Sequence, residues 1–244
     1  MTDPQLYRQL TLLDRDRHAP LRITPVQDWR FVRGLNAVSV TVAEFLDVAR
    51  EYPIAFVPVE HGADGQPQIT PVALLSLRAN DNAYVGPDGG WTARYLPAFL
   101  RRYPFTYVRN DVDGLSVALD DGWAGYSTTE GERLFDDAGQ PSDYLQAMVQ
   151  LLDRFEEDSV RTRALCARLV QLELLRSGEV KGRLDNGMDV NAAGFFMVDE
   201  AKLQALPDEV VLELHRSGAL ALIHAHLLSM GQVQAVADRL IQRG

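Results

Sequence analysis

Two stretches in the first half of the chain, FLDVAREYPIAFV at residues 45–57 and FLRRYPFTYV at residues 99–108, share one pattern. Each contains Phe-Leu, then arginine, then Tyr-Pro, then apolar residues at alternate positions. A residue before proline disfavours the helical conformation, so a helix should end at the tyrosine, and the alternation after the proline predicts a strand. The repeat is compatible with an internal duplication, whose two halves would enclose a groove, or with convergence of two similar units.

The sequence around the two copies extends the match. A returning strand is predicted at ITPVALLSL (69–77) and again at LSVALDD (115–121), after turns at HGADGQPQ (61–68) and at 111–114. Both units therefore have the order helix, Tyr-Pro, strand, turn, strand.

The helices of these units have recognisable starts. Thr41 and Glu44 have the spacing of a capping box, and the helix that follows is predicted to run to about Glu51. The second helix is predicted within TARYLPAFLRRYP (92–104), with Pro97 in its first turn. Each helix would lead directly into its Tyr-Pro pair.

The second half of the chain favours helices. Ser142 is expected to cap a long helix with apolar residues at helical spacing, which the acidic patch Glu156–Asp158 would divide in two and Ser177–Gly178 would end. VKGRLDNGMDV (180–190) predicts a hairpin with a two-residue turn at Asn186–Gly187. ALALIHAHLLS (219–229) is compatible with either a strand or a helix.

These elements predict an α+β fold. A mixed or antiparallel sheet body, with the helix–strand–strand duplication, would occupy residues 1–140, and a helix-rich part would occupy residues 141–244. A chain of 244 residues can bury a full core, so the second part is expected to pack on the first as one unit.

Charge and composition exclude several classes of protein. The net charge of −10 repels phosphate backbones and anionic lipid, which disfavours nucleic-acid binding and membrane binding. The N-terminus lacks the pattern of a secretory signal, and the apolar run near 219–228 is too short to span a bilayer. The single cysteine, Cys166, allows no disulfide within the chain. We expect a cytoplasmic protein without membrane insertion.

His224 and His226 are the first candidates for chemistry. On a strand they would share a face, but on a helix they would point about 200° apart. A metal would need a third ligand, which the neighbouring sequence does not offer in a known spacing, so no metal site is predicted. A hydrogen-bonded pair in the core or at an interface is favoured, and the alternative is a polar pocket of an enzyme.

Other catalytic patterns are weak. The pairs Asp120–Asp121 and Asp136–Asp137 lie in turn-like sequence, which favours a role in turns over acid–base catalysis. Cys166 lies within a helical pattern without a flanking histidine and is expected to be a buried small side chain. The sequence has no G-x-S-x-G motif and no glycine-rich phosphate loop, so no cofactor is predicted.

A dense set of aromatic residues and arginines is the best candidate for binding. Such side chains provide large contact area together with directional hydrogen bonds, although a helix edge in the core has a similar composition. The members of this set are Trp91, Arg94, Tyr95, Arg101, Arg102, Tyr103 and Phe105.

Five phrases of the chain together resemble the SapC family of bacterial proteins. They are EFLDVAREYPIAFVP (44–58), GGWTARYLPAFLRRYPF (89–105), GERLFDDAGQPS (131–142), FFMVDEAKLQALPDE (195–209) and LHRSGALALIHAHLLSMGQV (214–233). The resemblance implies a bacterial accessory protein without assigned catalytic residues. It also implies genomic neighbours that are outer-membrane receptors and flavin-dependent halogenases.

Three functions are compatible with these features. The leading hypothesis is a non-catalytic accessory protein that binds a partner protein through residues 91–105, with a halogenase-like enzyme or an envelope-uptake system as candidate partner. The second is a small-molecule enzyme with a pocket near His224 and His226. The third is a structural protein associated with a surface layer. A homo-oligomer is compatible with each of them.

Overall fold

A computed structural model of the chain describes residues 6–59, 68–110 and 114–243. The turns predicted at 61–68 and at 111–114 lie outside the described residues, except for Gln68 and Gly114. The other predicted elements lie within them.

Short elements dominate the first half of the described chain, and longer ones the second half. The strands are β1 (Leu10–Leu12), β2 (Arg22–Ile23), β3 (Ala37–Ser39), β4 (Ile54–Val59), β5 (Gln68–Leu74), β6 (Phe105–Asn110), β7 (Gly114–Asp120), β8 (Tyr126–Ser127), β9 (Glu132–Arg133), β10 (Leu175–Arg183) and β11 (Asp189–Val198). The helices are α1 (Arg15–His18), α2 (Phe45–Val48), α3 (Ala98–Arg101), α4 (Asp143–Gln171), α5 (Glu200–Gln204), α6 (Asp208–Arg216), α7 (Ala219–Ser229) and α8 (Gln232–Arg243). Turns of 3₁₀ helix lie at Arg30–Val32 and Val42–Glu44.

The strands form three antiparallel sheets in the described chain. The largest has the order β10-β11-β4-β5-β3, and the smaller ones have the orders β1-β7-β6 and β8-β2-β9. Every ladder among the described residues is antiparallel. The long helix α4 and the helices after β11 make the C-terminal part helical, so the predicted α+β fold is confirmed. Its division near residue 140 stays a prediction.

The two Tyr-Pro units have the same topology. The first unit consists of α2, β4 and β5 in succession, and the second of α3, β6 and β7. In each unit the returning strand also pairs with a strand from earlier in the chain, β5 with β3 and β7 with β1. The predicted order of elements is confirmed, and the likeness includes one more strand per unit than the sequence pattern indicated.

Both unit helices are shorter than predicted. The first begins as a 3₁₀ turn and its α-helical part ends at Val48, while α3 has four residues and Pro97 as its N-cap. Residues before Pro97 do not join the helix because the amides of Arg94 and Tyr95 donate to the side-chain carboxylate of Glu51 instead. Tertiary hydrogen bonds therefore replace helical ones in this segment.

Helix α4 packs against two hydrophobic cores, a smaller one at its start and the larger one at its end. Leu145 and Leu152 near its start lie with Phe105 of the second unit, whereas Leu165 and Leu169 near its end join the core of the five-stranded sheet. The prediction that Glu156–Asp158 would divide this helix is wrong. These acidic side chains are at least partly exposed, and Asp158 forms an ion pair with Arg161 one turn later, so the helix keeps its hydrogen bonds.

The end of α4 also differs from the prediction. The helix ends at Gln171, and Glu173, with a φ of 53°, turns the chain into β10. Gly178 was expected to stop the helix but lies inside β10, next to an irregularity in its pairing with β11. An added Cβ at Gly178 would lie 2.1 Å from the ring of Phe195. Glycine is therefore required at residue 178 for close packing of that ring.

The hairpin between β10 and β11 has a longer turn than predicted. The amide of Leu184 donates to the carbonyl of Met188, so three residues lie between them, and Gly187 adopts a φ of 82°. The left-handed conformation at Gly187 favours glycine and fits the third residue of such a turn. The hairpin is confirmed, and the two-residue turn at Asn186–Gly187 is wrong.

Residues 219–229 form the helix α7 and not a strand. By length and composition alone, residues 219–243 would be enough to cross a membrane, but packed helices of soluble proteins also meet these criteria. In this protein the face of α7 that carries His226 and Ser229 is fully buried. The helix is therefore part of the folded core.

We expect the change Gly178→Ala to lower the free energy of unfolding by about 1–3 kcal/mol, because the new methyl group would displace the buried Phe195 ring. Urea denaturation measures this loss. Gly182→Ala in the same strand is the matched control, since nothing lies within 4 Å of its added Cβ. Equal stabilities of the two variants would contradict the packing argument.

Candidate functional site

A buried carboxylate joins the two Tyr-Pro units. Glu44 is 5% exposed, and its Oε2 accepts hydrogen bonds from the amide and the hydroxyl of Thr41 at 3.0 and 3.1 Å. Its Oε1 accepts from the Tyr95 hydroxyl at 2.9 Å and from the Ala98 amide at 2.6 Å. The predicted capping interaction between Thr41 and Glu44 is present, and the same side chain also holds the start of α3.

Glu51 and Tyr52, which follow α2, hold the segment before α3 at a second point. Glu51 accepts from the amides of Arg94 and Tyr95 at 2.9–3.1 Å. The Tyr52 hydroxyl donates to the Tyr95 carbonyl at 2.5 Å and accepts from Trp91 Nε1 at 2.9 Å. Trp91 and Tyr95, which the sequence nominated for binding, therefore attach the second unit to the first.

The seven residues of the predicted binding set do not share one surface. Arg94 and Arg101 are exposed, Trp91 and Tyr95 are half-buried, and Arg102, Tyr103 and Phe105 are buried. Tyr95 and Arg101 lie together, with the Arg101 guanidinium 5.5 Å from the ring centroid. The exposed part of the set is thus limited to two arginines beside one tyrosine.

Arg102 is a core residue. It is 2% exposed, and its guanidinium carbon lies 4.6 Å from the ring centroid of Phe99 and 4.3 Å from that of Phe155. Its Nε and Nη2 have no hydrogen-bond partner among the described residues. The side chain is held by the two aromatic rings and is not available to a partner protein.

His224 and His226 lie on the helix α7 and do not form a common pocket. His224 is exposed, whereas His226 is fully buried. The Val198 amide donates to His226 Nε2 at 3.0 Å, so the proton is on Nδ1, which donates to the Ile54 carbonyl at 2.8 Å. Both ring nitrogens of His226 are therefore used to connect β11 with β4.

Burial controls the titration of His226. Removal from water lowers its pKa from the ordinary 6.5 to about 4, against the opposing effect of its hydrogen bond to Ile54. Ser229 lies on the same buried face, where its hydroxyl accepts from the Ile54 amide at 2.9 Å. The helix α7 thus satisfies both backbone groups of the first residue of β4.

Asp120 is a second buried carboxylate with a structural role. Its oxygens accept from the amides of Arg8 and Gln9 at 3.0 and 2.9 Å, from the Tyr103 hydroxyl at 3.0 Å, and from the Gly122 amide at 3.2 Å. The side chain therefore fixes Tyr103, the tyrosine of the second Tyr-Pro pair, against the N-terminal arm.

The other predicted reactive groups also have structural positions. Asp136 accepts from the amides of Ala138 and Gln140 at 2.9 and 2.8 Å, as a turn residue does, and Asp137 pairs with Arg133. Burial raises the pKa of the Cys166 thiol to about 12, so the thiol is not an activated nucleophile. Within the described ranges, no cluster of His, Cys, Asp or Glu has the arrangement of a metal site.

An open cleft of about 380 Å³ lies beside Tyr103. Its lining includes the irregular segment Thr24–Asp28, which we call its wall, and the turn Gly122–Gly125 after β7. Phe31, Tyr103 and Trp123 form an aromatic floor, with ring centroids 4.8 Å apart for the first pair and 6.1 Å apart for the second. Clefts of this size and composition are typical of ligand-binding sites.

Two arginines give the cleft a positive edge. Arg30 forms an ion pair with Asp28 at 2.7 Å and donates to the Asp88 carbonyl at 2.8 Å. The exposed Arg8 side chain has no ion pair among the described residues, and its charge opposes the rise in the pKa of Tyr103 that burial and Asp120 cause. Within the part of the chain that the structure describes, Arg8 is therefore a cation of the cleft without an ion pair.

Of the residues that line this cleft, only Tyr103 was predicted from the sequence to take part in binding. Arg8, Phe31 and Trp123 were missed because each lies in a different irregular segment, and nothing in their spacing brings them together. Trp123 could have been predicted from the sequence as a binding residue, because it is an aromatic residue in a segment of turn-like composition.

We expect wild-type protein to lose stability below about pH 6.5. Between pH 6.5 and about 4 the unfolded chain binds a proton at residue 226 that the folded chain does not bind. The contribution of neutral His226 to the free energy of unfolding is therefore complete above pH 6.5 and decreases as the pH falls to about 4. The pKa shift corresponds to about 3 kcal/mol. The free energy of unfolding, measured by urea denaturation, should decrease from pH 7 to pH 4 by about that much more in wild type than in His226→Gln.

His224→Gln is the matched control, and we expect it to keep the wild-type dependence on pH, because this side chain is exposed. Equal losses in wild type and His226→Gln would contradict the assignment of His226. An NMR titration of the His226 ring in the wild-type protein gives the same test without a variant.

Comparison with known proteins identifies the family of this chain. The SapC family model matches residues 13–236, which is most of the 244-residue chain. No curated protein matches it. No solved structure matches it either. Because the family model covers most of the chain, including both Tyr-Pro units, the chain belongs to the SapC family.

Proposed function

We propose that this SapC-family protein is a non-catalytic accessory protein that binds a partner protein in the cytoplasm. One observation carries the proposal. The groups that could perform chemistry are held in structural hydrogen bonds, whereas two arginines and an aromatic cleft are open to solvent.

The buried polar groups support a binding role over catalysis. Glu44 and Asp120 each accept four hydrogen bonds from the protein itself. Both nitrogens of His226 bond to the backbone. A general acid or base must exchange a proton with a substrate within hydrogen-bond reach, and these three side chains are already fully engaged.

The exposed arginines support a protein as the partner. Arg101 donates to the Tyr95 hydroxyl at 3.3 Å, and neither Arg94 nor Arg101 has an ion pair among the described residues. Arginine and tyrosine are enriched at protein interfaces, and a local positive patch on an acidic protein attracts acidic surfaces. The first partner to test is a flavin-dependent halogenase-like enzyme, which the family resemblance implies as a genomic neighbour.

We expect the double change Arg94→Ala with Arg101→Ala to reduce capture of the partner at least about tenfold, which corresponds to 1.4 kcal/mol of binding free energy. Both side chains are exposed, so the melting temperature should stay that of the wild type. The measurement is affinity purification of the tagged protein from its native cell, followed by a binding titration with the purified companion. Arg102 is left unchanged because its substitution would disturb the core.

The control is Arg176→Ala with Arg216→Ala, which removes the same charge from two other exposed arginines. Unchanged binding by the Arg94 and Arg101 variant would contradict the assigned surface. A protein that is purified without a companion, but with a bound metal or small molecule, would favour the enzyme hypothesis.

A further inference from the structure

We propose that the cleft formed by Arg8, Phe31, Tyr103 and Trp123 is a peptide-recognition site. It would take an extended, proline-containing segment of a partner protein, with an acidic side chain of that segment against Arg8. The inference rests on the proposed function, because it assigns a class of ligand to a protein that binds protein partners.

The floor of the cleft fits flat apolar side chains. Phe31 and Trp123 are partly buried, and the buried Tyr103 ring lies between them. Grooves lined by Tyr, Trp and Phe recognise proline-rich segments, whose rings pack on aromatic faces and whose extended conformation is already formed before binding.

The wall of the cleft offers unused backbone groups. Pro25, Val26 and Gln27 make no hydrogen bond among the described residues, in contrast to Thr24 and Trp29 on either side, whose amides donate to the carbonyls of Gly125 and Gly89. Among the described residues, this short stretch therefore has unbonded carbonyls at all three residues and unbonded amides at Val26 and Gln27, since proline has no amide proton. An extended peptide can satisfy such groups with its own backbone, whereas a free small molecule has no regular series of partners for them.

The charges favour an acidic peptide. Arg8 and Arg30 line the cleft, and the only carboxylate among its described lining residues is that of Asp28, which is already paired with Arg30. A carboxylate of the ligand can form a charge-assisted hydrogen bond with the free Arg8 guanidinium. A basic peptide would meet repulsion from Arg8 without a compensating carboxylate.

The size and rigidity of the cleft favour a short extended segment. Its volume of about 380 Å³ is at the small end of ligand pockets, and a helix about 10 Å in diameter would not enter it. Asp120 fixes the Tyr103 hydroxyl, and the Trp123 ring packs so closely over Gly125 that an added Cβ would overlap it. A floor that is fixed before binding reduces the entropy lost when the ligand binds.

The test uses the full chain and three ten-residue synthetic peptides. One has a Pro-x-x-Pro segment with two glutamates, the second has those glutamates replaced by lysine, and the third has its prolines replaced by alanine. The readout is the indole N–H signal of each tryptophan in NMR spectra. Trp123 lines the cleft, whereas Trp91 does not line it and bonds to Tyr52, so the Trp91 signal is the internal control. Trp29 stacks on Phe31 of the cleft floor and is not used as a control.

We expect the acidic proline peptide to shift the Trp123 signal with a dissociation constant below about 1 mM, and the other two peptides to bind at least about tenfold more weakly. Arg8→Glu should weaken binding at least about tenfold and Arg8→Lys much less, because the Arg8 side chain is exposed and its change leaves the fold intact. Arg176→Glu is the matched control for charge.

Three results would overturn the inference. The first is a Trp123 signal that does not shift at millimolar concentrations of the acidic peptide. The second is binding of the basic peptide as tight as that of the acidic one. The third is an equal shift caused by a mixture of free proline and glutamate, which would indicate a small-molecule site. If no peptide shifts the Trp123 signal but capture of a partner protein still depends on Arg94 and Arg101, the peptide site is contradicted and the proposed function is not. If the peptide binds but no partner protein is captured, the Arg94 and Arg101 surface of the proposed function is contradicted instead.

Discussion

The carboxylate of Glu44 is the interaction on which the arrangement of the two Tyr-Pro units depends. A buried carboxylate without partners costs several kcal/mol, so its four donors must come to it as the chain folds. Two of these donors lie in Thr41 beside it, and the other two lie in Tyr95 and Ala98, more than 50 residues later. One side chain thus fixes the position of α3, and through α3 the position of β6 and β7.

A second carboxylate has the corresponding role at the other end of the second unit. Asp120 ties Tyr103 to the backbone of residues 8 and 9, and this bond shapes the cleft whose floor Tyr103 forms. The polar groups inside the protein therefore serve the fold. The recognition surfaces that we propose are instead exposed, in Arg94, Arg101 and the aromatic cleft.

The sequence predicted those features that depend on neighbouring residues. The Tyr-Pro units, the cap at Ser142 and the pairing of Thr41 with Glu44 all follow from local patterns, and the structure has each of them. The bonds from Tyr95 and Ala98 to Glu44 could not be predicted, since only the folded chain brings these residues together. For the same reason Gly178 was assigned to a helix end, although its function is to admit the Phe195 ring from the adjacent strand.

The candidate site was predicted less well than the fold. An aromatic and arginine-rich segment has the same composition whether it faces solvent or the core, and the structure uses Trp91, Arg102 and Phe105 mainly for packing. The cleft was missed because it draws residues from separate stretches of the chain, near residues 8, 24–31, 103 and 122–125. Pairing of β1 with β7 and the hydrogen bonds of Asp120 place residue 8 beside residues 103 and 122. The bond from the Thr24 amide to the Gly125 carbonyl and the contact of Phe31 with Tyr103 bring residues 24–31 to the same place.

The claim that Glu44 holds the two units together can be measured with a double-mutant cycle. The free energies of unfolding are determined for wild type, Glu44→Gln, Tyr95→Phe and the double variant, by urea denaturation at pH 7. A hydrogen bond to a buried carboxylate predicts a coupling energy of about 1.5–3 kcal/mol between residues 44 and 95. A coupling energy near zero would contradict the account, because the two units would then be held in place by other contacts.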